Sequence, residues 1–281
     1  MFGLLNVYKP KGITSHDVVS MLRRATKIKQ IGHTGTLDPF AEGVLPVCIG
    51  KATRLIEYLN DDKEYIATVQ LGANTDTYDL EGQVTEQFDK KVSVNDVIEA
   101  LKNFEGEISQ TPPIYSALKV NGKKLYEYAR EGKEVEIKSR SVKIYDIKLL
   151  SFDEEKQNAE IRVACSKGTY IRSIAYDLGK TLGCGGYLIK LIRSKAGNFN
   201  IENSVKDFTN NVEYNLTNPL EVLNLPKFEI DESEHKKVIQ GQTFKKNTVK
   251  TNGLIILIYN DNIDAVAECS DGIVKVKKVF S

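Results

Sequence analysis

Cysteine and histidine are scarce in this sequence. The four cysteines, Cys48, Cys165, Cys184 and Cys269, form no Cys-x-x-Cys pair, and the three histidines are His16, His33 and His235. That scatter is not a disulfide framework and does not supply a four-ligand zinc site, so buried free thiols and no metal are expected. No apolar run reaches the roughly 18 residues of a membrane span. The first seven residues, Met1-Phe2-Gly3-Leu4-Leu5-Asn6-Val7, lack the basic region and cleavage site of a signal peptide. A cytoplasmic protein without a membrane partner is the expectation. Gly-x-Gly-x-x-Gly after a strand and the Walker loop are missing too, so no nucleotide site is implied and nothing requires a cofactor. Net charge is only +1, and any affinity for nucleic acid would rest on local basic patches. Lys9, Lys11, Arg23, Arg24, Lys27 and Lys29 make one such patch, and Lys119, Lys123 and Lys124 another. A solvated charged face explains each as simply.

What is present is an ordinary globular balance, 41% hydrophobic and 27% charged over 281 residues. That length suits one large catalytic domain with a small appendage, or two medium domains. Thr14 or Ser15 caps a first helix striped by Val18, Val19, Leu22 and Ala25. A glycine-punctuated loop follows at 32–39, then an apolar stretch through Val44, Leu45, Val47 and Ile49, and a helix is expected over 52–59. Residues 64–71 alternate, with Tyr65, Ala67, Val69 and Leu71 on one face and Glu64, Thr68 and Gln70 on the other, as a half-buried strand requires. Ser93 opens a helix striped by Val97, Ile98, Leu101 and Phe104. Residues 110–113 read as a loop and Asn121-Gly122 as a tight turn. Strands over 142–150 and 160–165 lead to a helix over 170–182, stopped by Gly183.

Mixed strands and helices without a regular βαβ repeat predict an α+β fold on a largely antiparallel mixed sheet flanked by helices. Past Leu225-Pro226 the texture changes to a polar helical stretch over 232–240. Strand-like runs follow at 254–259, 263–268 and 273–279. Two domains are expected, 1–224 and a small β-rich one over 225–281.

Asp38 is the focus for chemistry. It precedes Pro39, and Asp-Pro is also how many helices begin, with aspartate as the cap and proline at the first helical position. Two glycines, two threonines and a histidine before the carboxylate favour another use. Glycines let backbone approach a ligand closely, and hydroxyls and imidazole offer hydrogen bonds. His33 is open to three roles: general base, phosphate contact or packed loop residue. No serine or cysteine has the setting of a hydrolytic triad. The run Ser166-Lys167-Gly168-Thr169-Tyr170-Ile171-Arg172 passes from a strand end into a helix start. Its cations suit a phosphate or a carboxylate, and equally a capped helix with a surface arginine. Tyr65, on an apolar strand face, is core by the general rule for aromatics.

These segments together resemble the TruB-type tRNA pseudouridine synthases. The resemblance runs in the family's order from residue 5 to about 200. It is carried by Leu5-Asn6-Val7-Tyr8-Lys9-Pro10-Lys11-Gly12-Ile13-Thr14-Ser15, by Gly32-His33-Thr34-Gly35-Thr36-Leu37-Asp38-Pro39 and by Gly43-Val44-Leu45-Pro46. It continues through Leu71-Gly72-Ala73-Asn74-Thr75-Asp76-Thr77-Tyr78-Asp79 and Pro112-Pro113-Ile114-Tyr115-Ser116-Ala117-Leu118-Lys119. Cys165-Ser166-Lys167-Gly168-Thr169-Tyr170-Ile171-Arg172, Gly183-Cys184-Gly185-Gly186 and Leu191-Ile192-Arg193 complete it.

The resemblance implies isomerisation of a uridine in the T-arm loop of tRNA, position 55, by base flipping and without cofactor. It makes Asp38 the catalytic aspartate, Arg172 the arginine that pairs with and aims it, and Tyr65 the aromatic that stacks on the flipped uracil and moves a proton. It has His33 fill the vacated space in the RNA loop, Tyr170 and Leu191 line the pocket, and Lys9 and Pro10 buttress the catalytic loop, with Lys9 also touching RNA. Glu42 stands where family members more often carry a small polar residue. The C-terminal segment resembles a short PUA-type RNA-binding domain, through Leu225-Pro226, Asp231-Glu232, Gln240-Gly241-Gln242 and the stretch 272–280.

Three other readings each require a feature of their own. A non-catalytic RNA-binding relative would be marked by loss of Asp38, Tyr65 or Arg172, and all three are present. A guide-RNA-dependent relative within a multi-protein particle would carry basic extensions, and none is seen. An aspartate-nucleophile hydrolase would need a second carboxylate or a metal near Asp38, which the local sequence does not offer. A monomer with tRNA as partner and no obligatory protein partner is expected.

Overall fold

Alternation along Lys63–Leu71 builds the middle of the molecule: Tyr65, Ala67, Val69 and Leu71 are buried and the residues between them half-exposed. The structure, a computed structural model, describes residues 1–281 apart from the side chain of Tyr214. Lys63–Leu71 lies in a ten-stranded sheet. Its main path runs Leu216–Thr217, Gly3–Lys9, Glu42–Ile49, Gly186–Ala196, Lys63–Leu71, Asn158–Cys165, Arg140–Asp153, Gly106–Gln110. Every neighbouring pair on this path is antiparallel except Glu42–Ile49 with Gly186–Ala196, which run parallel. The expected α+β architecture, largely antiparallel and mixed, is therefore present.

Helices cover the sheet where the strands turn apolar side chains toward them. Ser15–Thr26 is closed by a capping box between Thr14 and Asp17, and it packs Val18, Val19 and Leu22 against Leu5, Val7, Leu45 and Val47. Ile171–Leu182 and Val94–Leu101 pack Ile174, Leu178, Val97 and Leu101 against Tyr65, Ala67, Ile161 and Leu191. The opposite sides of the first strands, Leu4, Val44 and Cys48, share a core with Ile256, Ile258 and Val266 of a second, five-stranded sheet and with Phe280 just past its last strand. That sheet is formed by Lys227–Glu229, Phe244–Lys245, Gly253–Tyr259, Asn262–Ser270 and Ile273–Val279. It is held to the first by Lys51, whose Nζ donates to the Phe280 carbonyl at 2.8 Å, and by Arg54 donating to Val279 O at 2.7 Å.

Three local expectations change. The helix expected over 52–59 is a run of 3₁₀ turns, Gly50–Tyr58, with only Ala52 and Leu55 buried; this i, i+3 spacing matches three residues per turn. Ile98 is exposed while Ala100 joins Val97 and Leu101 in the core. Ala25 is exposed, and Ser15 is the buried residue at the other end of its helix. All four cysteines are free and buried. Among the described residues no helix is long and apolar enough to cross a membrane.

The helix Ile171–Leu182 can seat on the start of Gly186–Ala196 only because residue 179 has no side chain. A Cβ on Gly179 would lie 2.1 Å from the backbone of both Gly185 and Gly186. Neither can swing away as a side chain could. Gly179→Ala is expected to cost about 3 kcal/mol, the upper range for overpacking, as read from the midpoint of denaturant unfolding. An unchanged midpoint would show that the helix can lift without penalty.

Candidate active site

The turn at 32–39 leaves the short strand Ile31–His33 and is tied down at several points. Ser15 Oγ accepts from the Leu37 amide at 2.8 Å and donates to its carbonyl at 3.1 Å, and Leu37 is buried. The Ala41 amide donates to Asp38 O at 3.1 Å. Lys9, wholly buried, donates from Nζ to the carbonyls of Pro10 (2.9 Å), Ile13 (2.7 Å) and Pro39 (3.3 Å). Burial lowers its pKa to about 8. The enclosed ammonium ties the carbonyls of residues 10, 13 and 39 together and has no exposed face with which to touch RNA. Pro10 is exposed and contributes its carbonyl. Glu42 accepts from the Tyr8 hydroxyl at 2.8 Å, which gives this larger residue a fixed place.

Asp38 presents its carboxylate, 32% exposed, to Arg172, 6% exposed. Arg172 Nη2 donates to Oδ1 at 3.3 Å, and Nε lies 3.0 Å from Oδ2, a charge contact outside hydrogen-bond alignment. The same guanidinium donates to the carbonyls of Thr77 (3.2 Å) and Tyr115 (3.1 Å). Its Nη1 lies 3.4 Å from Asp79 Oδ2. Asp79 is buried and accepts from Thr77 Oγ1 at 2.6 Å and from the Glu81 amide at 3.0 Å. Burial nevertheless holds its carboxyl above the usual range, against those bonds and Arg172.

This second carboxylate corrects the expectation that none lies near Asp38. It arrives from the hairpin of Ala73–Thr75 and Val84–Gln87, and it is already committed to Arg172. Its run, Thr77-Tyr78-Asp79, was visible in the sequence, but nothing local pointed across to residue 172.

Tyr65 is 7% exposed, and burial pushes its phenol up to about 12. Tyr170 opens the helix Ile171–Leu182. Its amide donates to Gln110 Oε1 at 2.7 Å, its carbonyl accepts from Gln110 Nε2 at 3.0 Å, and the Arg140 guanidinium lies 4.9 Å from its ring centre. Asp38, Tyr65, Tyr170, Arg172 and Leu191 line one cleft of about 690 Å³, together with Asp79, Glu81, Tyr115 and the cations Lys63, Arg130, Arg140 and Lys167. His33, Lys9 and Pro10 lie outside that lining. His33 is half-buried at the end of its strand with Nδ1 unpartnered. Burial, then the Arg193 cation, lower its pKa, which counts against a charged phosphate contact.

The sheet thus carries an aspartate, an arginine and a tyrosine in one cleft. The chain superposes over its full length on a chain in the crystal structure of a Cbf5-Nop10-Gar1 complex, with a TM-score of 0.75, 28% identity and 85% of that chain covered. A chain in an H/ACA RNP bound to a substrate RNA containing 2′-deoxyuridine matches with a TM-score of 0.71 and 26% identity, over 100% of this chain and 85% of that one. Residues 23–171 match the family described as TruB family pseudouridylate synthase (N terminal domain). The tRNA pseudouridine synthase B of Clostridium kluyveri is 40% identical with both chains covered in full, and that of Clostridium acetobutylicum is 47% identical over 86% of this chain and 84% of its own. The chain belongs to the TruB family of pseudouridylate synthases, and it is an isomerase.

Proposed function

We propose that this enzyme converts uridine to pseudouridine in tRNA, at position 55 of the T-arm loop, with Asp38 as its catalytic carboxylate. The observation that carries the reading is the half-open carboxylate of Asp38 in a cleft walled by Tyr65 and backed by Arg172. Relatives of 40 and 47% identity bear the name tRNA pseudouridine synthase B, which supports tRNA as substrate.

The reaction breaks the bond from ribose C1′ to N1 of uracil, turns the base, and joins C1′ to C5. The hydrogen leaves C5 and N1 gains one, so no oxidant or energy source is consumed. A carboxylate serves either by adding to the base and leaving again or by stabilising the cationic sugar. Arg172 aims it. The recess around Asp38 admits a base only after it leaves its stack, at a cost of a few kcal/mol. His33, next to the cleft wall at Thr34, takes the place of the departed base. Arg130, Arg140 and Lys167 face the phosphates on either side. The five-stranded sheet, within the PUA-like segment 225–281, adds a second RNA-docking surface. The enzyme works as a cytoplasmic monomer without a protein partner.

Tyr65, with its phenol near 12, is neutral at physiological pH. It stacks on the uracil and donates a hydrogen bond rather than acting as a standing base. Loss of a base–aromatic stack is worth about 1–3 kcal/mol. Tyr65→Ala is therefore expected to slow single-turnover reaction by at least about 10–100-fold with RNA affinity changed about threefold or less. Equal losses in rate and affinity would make Tyr65 a purely structural residue.

Mapping pseudouridine on an unmodified tRNA transcript after incubation with the wild-type enzyme tests the assignment of substrate. One new pseudouridine, at position 55, is expected. Product elsewhere in the transcript, or binding without product, contradicts it.

A further inference from the structure

We infer that Arg193 is a positioning residue for this reaction, tying the turn that bears Asp38 to the strand that bears Tyr65. The inference rests on the reading of those two residues given above. Arg193 is 1% exposed and is among the largest fully buried side chains. Its donors go to backbone: Nε to Val44 O at 2.6 Å, Nη1 to Thr36 O at 3.3 Å and Nη2 to Gly35 O at 3.2 Å. A buried cation balanced by carbonyl dipoles is costly to keep, and packing alone would be served better by an apolar residue. What the guanidinium adds is a rigid fork that bridges two segments, which a lysine cannot reproduce.

The main chain of Arg193 completes the link. It pairs with Tyr65 on one side and Gly43 on the other. Gly43 has φ +110°, and a Cβ there would meet the Arg193 carbonyl at 2.3 Å, so the parallel register is fixed at this residue. The backbone of Arg193 thus holds the Tyr65 strand while its side chain holds the residues leading into Asp38. The guanidinium also neighbours the Tyr65 phenol. Lys9 grips the far end of the same turn at Pro39, so both ends are held from beneath, and Arg193 alone reaches across to Tyr65.

The test is Arg193→Lys, which keeps the charge and loses the fork, made in the wild-type and Tyr65→Phe backgrounds. Single-turnover pseudouridine formation and affinity for the same tRNA transcript are measured, with melting curves confirming the fold. A misplacement of about 1 Å in a catalytic group costs about 100-fold. Arg193→Lys is expected to slow turnover by about that factor while affinity stays within about threefold. In the Tyr65→Phe background the same change is expected to cost about tenfold or less, because residues that act together are not additive. Arg193→Gln, which loses the charge and keeps two donors, takes the same place if the lysine variant does not fold. Equal slowing in both backgrounds, affinity falling in step with rate, or a rate near wild type would overturn the inference. Asp38→Ala run alongside separates the two claims. If it is inactive and Arg193→Lys is unimpaired, only the positioning role fails; if it is active, the catalytic reading fails and the positioning role with it.

Discussion

Arg172→Met is expected to unfold at a lower denaturant concentration than wild type, equivalent to about 3 kcal/mol, and to form pseudouridine at least about 100-fold more slowly. Breaking a buried pair by removing one partner costs about 3–5 kcal/mol. The lower end applies here because Asp38 is about a third exposed and reaches solvent. Asp79 does not: it is 5% exposed and depends on Arg172 for its counter-charge. Adding Asp79→Asn to the methionine variant removes the stranded charge and is expected to restore part of the stability but none of the activity.

The pH dependence follows from the direction of the Asp79 shift. Burial holds the folded carboxyl above its unfolded value, so the folded chain binds that proton more tightly and this group's contribution to stability falls as pH rises. Without Arg172 the folded value moves further up. The methionine variant should therefore regain stability relative to wild type as pH falls toward the ordinary carboxylate range. A parallel pair of curves would show that Asp79 does not bear the unpaired charge.

How far the sequence reveals this site depends on the range of the signal. The face of Lys63–Leu71 that carries Tyr65 is legible from a two-residue period. Asn121-Gly122 forms the turn its composition demands, with both residues at positive φ. Thr14 with Asp17 closes the first helix as a capping box. Each signal lies within a few neighbouring residues. Lys9 is the opposite case. Grouped with Lys11 and Arg23 it reads as part of a basic surface, yet the fold brings carbonyls from residues 10, 13 and 39 around its ammonium. Asp79 and Arg193 both stand in stretches that carry the family resemblance, but their roles come from contacts with residues 172 and 35–44, far off in the chain. The 3₁₀ run at Gly50–Tyr58 reads in sequence simply as a helix, because over so short a span i, i+3 spacing serves either kind.

Asp38→Ala is expected to have the largest effect on activity. Asp79 is not free to take over: it is held by Arg172, Thr77 and the Glu81 amide. Loss of a residue that bonds covalently to substrate or stabilises its cation removes most of the rate, at least about 10⁴-fold by comparison with other catalytic groups that act as a unit. The fold should survive, since the Arg172 guanidinium keeps Asp79 and the carbonyls of Thr77 and Tyr115. RNA affinity should change little, because the cations lining the cleft are untouched.

The most direct measurement uses a tRNA transcript with tritium at C5 of the uridine at position 55, under single-turnover conditions. Isomerisation must release that hydrogen to solvent. Wild type is predicted to release the label fully, and Asp38→Ala, bound to the same transcript with unchanged affinity, to release none. Release by the alanine variant at the wild-type rate would contradict the account.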